Sequence, residues 1–106
     1  MILYIAGPMT GYPGHNYPAF HAAADSLRVA GYSVLNPAEP VIAERMPDAE
    51  SVPWEWWMRR ALRLLLDADG VALLPGWHES RGARIEHELA INLGMERRRL
   101  AEWVAS

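Results

Sequence analysis

Ile2-Leu3-Tyr4-Ile5-Ala6 is an unbroken apolar run closed by Gly7-Pro8. Such a run lacks the alternation of a half-exposed strand and predicts a strand buried on both faces, central in its sheet. Two further runs read the same way: Tyr32-Ser33-Val34-Leu35, ended by Asn36-Pro37, and Val71-Ala72-Leu73-Leu74, ended by Pro75-Gly76. The segments between them have helical spacing. Phe20, Ala23, Ala24 and Leu27 follow Pro18, which suits a first helical turn, and Gly31 is a C-terminal stop. Trp54, Trp57, Met58, Ala61, Leu62 and Leu65 mark one face of a helix from about Trp54 to Leu66. A third helix runs from about Ser80 to Leu93, with Gly94 as its stop. Strand and helix alternating three times predict parallel pairing with right-handed crossovers. The expected fold is therefore α/β: an open doubly wound, Rossmann- or flavodoxin-like three-layer sandwich with a small parallel sheet. In such sheets ligands bind beyond the carboxyl ends of the strands, which points to the loops Gly7–Gly14 and Pro75–Gly82.

Residues 36–53 carry four prolines and read as a long irregular loop, of the kind that often closes over a site. The tail, Met95 to Ser106, is open: Arg97 to Arg99 suggest a solvated face, and Leu100 to Val104 fit either a strand or a helical turn.

At 106 residues, 51% of them hydrophobic, the chain has material for one core, so residues 1–106 are read as a single domain. A domain this small buries a modest share of its surface, which favours a homodimer or higher homo-oligomer. The net charge of −3, with no basic run, argues against a nucleic-acid partner. The absence of cysteine excludes disulfides, thiolate metal sites and a cysteine nucleophile. The four histidines (His15, His21, His78, His87) show no metal-ligand spacing, so neither a metal nor another cofactor is expected. Met1–Ala6 is too short for a signal peptide or a membrane span, and the expectation is a cytoplasmic protein with no membrane partner.

The segment richest in chemistry is Ser80-Arg81-Gly82-Ala83-Arg84-Ile85-Glu86-His87-Glu88-Leu89-Ala90. On a helix, Gly82, Ile85, Leu89, Ala90 and Leu93 form an apolar stripe with Glu86 in its middle. A carboxylate on a buried face is costly unless it is paired, hydrogen-bonded or lining a cleft. Glu86 is therefore either a reactive group or a structural glutamate bonded to backbone or to a nearby arginine. Ser80 can cap the helix, and the amides of Arg81 and Gly82 at its N-terminus suit an anion, with Arg81 adding charge. Gly7-Pro8-Met9-Thr10-Gly11 is a glycine-bearing turn able to bring backbone amides near a ligand, although it matches no dinucleotide fingerprint or P-loop. Tyr4 lies near the carboxyl end of the first strand, where a buried hydroxyl needs a partner. On the tryptophan-rich helix, Trp56 sits opposite Trp54 and Trp57, beside Arg59 and Arg63, a composition common at subunit interfaces.

Tyr4-x-x-Gly7-Pro8-Met9-Thr10-Gly11, Leu74-Pro75-Gly76-Trp77 and Ser80-x-Gly82-x-x-x-Glu86-x-x-x-Ala90 together resemble the nucleoside 2-deoxyribosyltransferase superfamily, which includes 2′-deoxynucleoside 5′-phosphate N-hydrolases and small phage-type relatives. The resemblance runs from residue 2 to about 94. It implies an enzyme that cleaves or transfers the N-glycosidic bond of a nucleoside or its 5′-monophosphate. Glu86 matches the family's nucleophile, Tyr4 the residue that orients it, and Gly7, Ser80 and Gly82 positions that cradle the sugar 5′ end or its phosphate. Met9, Thr10 and Arg81 fall beside them as further substrate-binding candidates. A homodimer is implied as well. One position departs: Ala61 stands where these enzymes carry an aspartate that protonates the leaving base. Asp67 and Asp69 lie near the far end of that helix. A missing general acid costs roughly 10²–10⁴-fold in rate. The alternatives are a nucleotide-binding module that has lost catalysis and an interaction protein built on the tryptophan-rich helix.

Overall fold

The computed structural model describes residues 1–40, 46–48 and 50–105. Four strands, β1 (Ile2–Ala6), β2 (Ser33–Leu35), β3 (Gly70–Leu73) and β4 (Glu96–Arg99), form one parallel sheet in the order β2-β1-β3-β4. The helices are α1 (Tyr17–Val29), α2 (Trp54–Leu66), α3 (Arg81–Asn92) and α4 (Leu100–Ala105), with short 3₁₀ turns at Pro13–Asn16 and Trp77–Glu79. The fold is the expected open, doubly wound α/β sandwich.

Period-two alternation along β1 and β3 divides the core. Leu3, Ile5, Ala72 and Leu74 face α1 and α4 and pack on Phe20, Ala24, Leu27 and Trp103. Tyr4, Ala6, Val71 and Leu73 face α2 and α3 and pack on Leu65 and Ala90. The chain runs outward from β1 to β2 and then crosses back to β3, so the strand order reverses between β1 and β3. A crevice opens beyond the carboxyl ends of those two strands.

The helix ends follow their predicted chemistry. Gly31, at φ 102°, ends α1 in a Schellman motif, with Tyr32 N–H donating to the Leu27 carbonyl at 3.1 Å and Gly31 N–H to that of Arg28 at 3.0 Å. Ser80 caps α3, its Oγ accepting from Ala83 N–H at 3.2 Å.

Several expectations are corrected. Strand β2 starts one residue later than predicted, and β3 spans Gly70–Leu73 rather than 71–74. Gly70 opens β3 because a side chain there would meet the Glu96 carbonyl at 3.1 Å and the Trp103 ring at 3.2 Å. In the tail, Leu100–Ala105 takes the helical alternative, and the strand forms earlier, at Glu96–Arg99, where the sequence suggested only a solvated face. Arg97–Arg99 make a charged edge strand, of the kind that discourages edge-to-edge pairing. Trp103 anchors α4, donating from Nε1 to the Val71 carbonyl at 2.8 Å.

On α3 the buried face is Ala83, Glu86 and Ala90, whereas Ile85 (37%) and Leu93 (51%) are exposed. The helix turns its small residues inward because it approaches its neighbours closely; a side chain at Gly82 would lie 3.3 Å from the Met58 sulfur of α2. The 36–53 loop has no strand or helix among its described residues, and the rest of it, 41–45 and 49, lies outside them. Among the described residues, no helix is long and apolar enough to cross a membrane.

Candidate active site

A cavity of about 780 Å³ occupies the crevice, and Glu86 and Tyr4 both line it. The side chain of Tyr4 points from β1 toward α3 because even-numbered residues of β1 face that layer. There its hydroxyl donates a hydrogen bond to Glu86 Oε2. Both residues are almost wholly buried, at 1% and 5% exposure. Among the described residues no other group hydrogen-bonds the carboxylate. Among the described residues neither the backbone nor an arginine bonds Glu86; its partner is Tyr4.

The electrostatics follow from this burial. Desolvation pushes the Glu86 carboxyl up to about 8, against a smaller opposing effect of the Tyr4 hydrogen bond. Tyr4 is held well above its ordinary range, first by burial, then by the charge and hydrogen bond of Glu86, while the Arg60 guanidinium acts in the opposite sense. The site thus holds a carboxyl group that is neutral in acid and ionises near physiological pH, with one oxygen fixed by a phenol. That is a suitable state for a nucleophile or a general base.

The other predicted residues also gather here. Gly7, Met9, Thr10, Ser80, Arg81 and Gly82 all line the cavity. Gly7 has a packing reason as well, since a Cβ there would come within 2.8 Å of the Leu74 Cβ. The glycine lets the loop after β1 lie against the end of β3. Arg81 stacks its guanidinium over the Trp54 ring, 4.2 Å from the centroid. Trp54, Trp57, Met58, Tyr12 and Tyr17 give the cavity an aromatic and apolar wall, and Pro37 and Val52 join it from the long loop.

Ala61 lines the cavity with no acidic group, as its sequence position implied. Neither Asp67 nor Asp69 lines it; Asp69 instead accepts from the Ile2 amide at 2.8 Å, at the amino end of β1. Trp56 lies at the surface, 36% exposed, edge-to-face with Trp57 at 4.9 Å.

Arg60 was not expected on the inner face of α2. It is 6% exposed, lines the cavity, and donates to the carbonyls of Pro37 and Glu39 at 2.8 Å each. Leu64, one turn further on, packs against the core and widens the apolar arc of the helix toward Arg60. That widening is the signal in the sequence. Asn36 is a second buried polar group, accepting from the Ala38 amide at 3.0 Å and so fixing where the loop leaves β2.

A family model described as a domain of unknown function, DUF4406, matches residues 1–97. The chain belongs to the DUF4406 family. The match takes in β1, α1, β2, α2, β3 and α3, and with them every residue that lines the cavity. No curated protein matches the chain. The DUF4406 description assigns no activity, so the chemistry rests on the residues.

Proposed function

We propose that this DUF4406 chain is a nucleoside or nucleotide N-glycosidase, or a deoxyribosyltransferase, with Glu86 as its nucleophile. The observation that carries the proposal is the Tyr4–Glu86 hydrogen bond within the cavity. A carboxylate desolvated at this expense, with no cation bonded to it among the described residues and lining a cavity of about 780 Å³, is well suited to capture an oxocarbenium-like sugar carbon. The ionised Glu86 attacks the anomeric carbon as the bond to the base breaks. Water then attacks the glycosyl ester and frees Glu86, or a second base does so and the sugar is transferred. Tyr4 holds the carboxylate in line. Ser80, Gly82 and Arg81 form the pole for a 5′-phosphate or 5′-hydroxyl, where a capped helix N-terminus and a guanidinium meet. Gly7, Met9 and Thr10 complete the rim.

The test is base release from a panel of nucleosides and 5′-monophosphates, followed by chromatography, with Glu86→Gln as control. Release that depends on Glu86 is expected, with a rate that climbs as pH rises toward about 8 because the attacking form is ionised. Equal release by the variant refutes the nucleophile assignment.

Ala61 favours a second reading, a nucleotide-binding module without turnover. Saturable nucleotide binding by calorimetry with no base released on long incubation would select it. In either case the exposed Trp56 face is proposed to pair two copies of the chain, and Trp56→Ala is expected to yield monomer in sedimentation.

A further inference from the structure

Asn16 immediately precedes α1, a position where asparagine ordinarily has extended backbone and caps the helix with its side-chain oxygen. Here it does neither. Its backbone is left-handed, at φ 61°, and its side chain makes no capping hydrogen bond. Gly14 and His15 share that conformation, at φ 59° and 55°, so three consecutive residues are left-handed and two of them carry a Cβ that disfavours it. The Asn16 side chain instead reaches back across the loop, and its Nδ2 donates to the Pro8 carbonyl at 2.9 Å. Pro8 is buried, and among the described residues Asn16 is the donor to that carbonyl. On its other side Pro8 lies against the turn after β3, with its Cγ 3.5 Å from where a Cβ on Gly76 would be. Inside the loop, Tyr12 N–H donates to the Met9 carbonyl at 3.2 Å and His15 N–H to that of Tyr12 at 3.0 Å. Gly7, Pro8, Met9 and Thr10 all line the cavity.

Resting on the glycosidase reading, we propose that Asn16 is a positioning residue, which forgoes capping α1 in order to clamp the loop after β1 in the shape that receives the substrate. The link to the site is short. Pro8 lies between Gly7 and Met9, and Gly7 follows directly on β1, the strand that carries Tyr4. One bond at Pro8 thereby fixes the backbone of the cavity rim before substrate arrives, so that ordering the loop does not weaken binding. The residue type fits this double demand. Glycine would suit the backbone but has no donor, and aspartate would fit the space but can only accept. Asparagine tolerates the left-handed region and supplies the donor. A helix selected for its own stability would keep its cap, and local rules tend to fail where function overrides them. Neither Tyr4 nor Glu86 takes part in the clamp, so it bears on substrate binding rather than on bond cleavage.

Asn16→Gly separates the two demands, since glycine suits left-handed backbone and lacks the donor. With 2′-deoxyadenosine and its 5′-monophosphate as substrates, the variant is expected to raise KM on the order of tenfold and to leave kcat within about twofold, as loss of one hydrogen bond to a partly buried carbonyl implies. Amide exchange at Tyr12 and His15, whose hydrogen bonds lie inside the loop, should quicken in the same variant. Asn16→Asp, which keeps the shape and turns the donor into an acceptor, should repeat both effects with the uncharged nucleoside. A wild-type KM in Asn16→Gly would mean that only the backbone matters there, and would overturn the proposal. A fall in kcat at unchanged KM would place the effect on Glu86 and overturn it too. A measurement on the wild type keeps the test independent of the variants' folding. The Asn16 side-chain amide should exchange slowly and give nuclear Overhauser contacts to Pro8 and Met9; an amide free in solvent would sink the clamp. A wild type with no Glu86-dependent release refutes the glycosidase reading and the role of Asn16 with it, whereas an unchanged KM in Asn16→Gly with an active parent refutes Asn16 alone.

Discussion

Glu86→Gln removes a titrating proton from the core while keeping a side-chain oxygen that can accept from Tyr4, and it should make the protein more stable above neutral pH. In the folded chain Glu86 holds its proton up to about 8; in the unfolded chain it releases it near 4.5. Between those values the folded state binds more protons, so the stability linked to this group is fully present below 4.5 and is lost as pH rises through about 8. At 1.36 kcal/mol per pH unit, that interval is worth up to about 5 kcal/mol, and water in the cavity reduces it. A domain of this size has a total stability of about 5–15 kcal/mol, so even a third of the effect is measurable. The assay is urea unfolding followed by tryptophan fluorescence at several pH values from about 5 to 9. The wild type should lose ground to the variant steadily across the window, and the difference should level off at its alkaline end. Groups such as Glu39, Glu102 and His87, whose shifts are present in both proteins, cancel in the comparison. A gap between the two proteins that stays constant with pH would refute the reasoning, because Glu86 would then titrate alike in folded and unfolded chains.

Four other outcomes follow from named contacts. Tyr4→Phe takes away the hydrogen bond that partly offsets burial, so the alkaline-rising limb of the activity profile should move to higher pH, at a cost of about 1–3 kcal/mol in stability measured by urea unfolding. Gly7→Ala forces a Cβ to within 2.8 Å of the Leu74 Cβ and should destabilise by about 1–3 kcal/mol, read as a lower urea midpoint. Ser80→Ala deletes the α3 cap and should cost about 1 kcal/mol by the same measurement, with weaker 5′-monophosphate binding in calorimetry. Trp103→Ala should cost about 3–5 kcal/mol in thermal unfolding, since that ring is 2% exposed and bonded to the sheet.

Most of the scaffold could be read from the sequence because its signals are local. An apolar run ended by Gly7-Pro8, a proline in the first turn of α1 and glycines just past α1 and α3 each report on their own few residues. The bounds of α2 were read without error for the same reason. The tail was not legible, because Arg97–Arg99 look solvated until β3 is there to pair with them, and Trp103 has no helical partner until the sheet offers it a carbonyl. The inward position of Glu86 was legible from the helix stripe, but its pairing with Tyr4 came only from the family resemblance, because residues 4 and 86 lie far apart in the chain.

Two further misses lie on the facing helices α2 and α3. Periodicity assigns the largest apolar side chains to the inside, and α3 disobeys by leaving Ile85 and Leu93 exposed and turning Ala83, Glu86 and Ala90 inward. Helix α2 disobeys in the complementary way, turning Arg60 inward and leaving Trp54, Trp57 and Met58 only partly covered on the cavity wall. A helix pair selected for stability alone would place Ile85 where Glu86 lies and Leu64 or Leu62 where Arg60 lies. Each helix here keeps one buried ionisable side chain at a desolvation cost that apolar residues would not incur. Local rules tend to fail where function overrides packing. Both buried ionisable groups, Glu86, which the sequence placed inward, and Arg60, which it did not, line one cavity, so the desolvation cost is concentrated where a ligand would sit and not spread through the core.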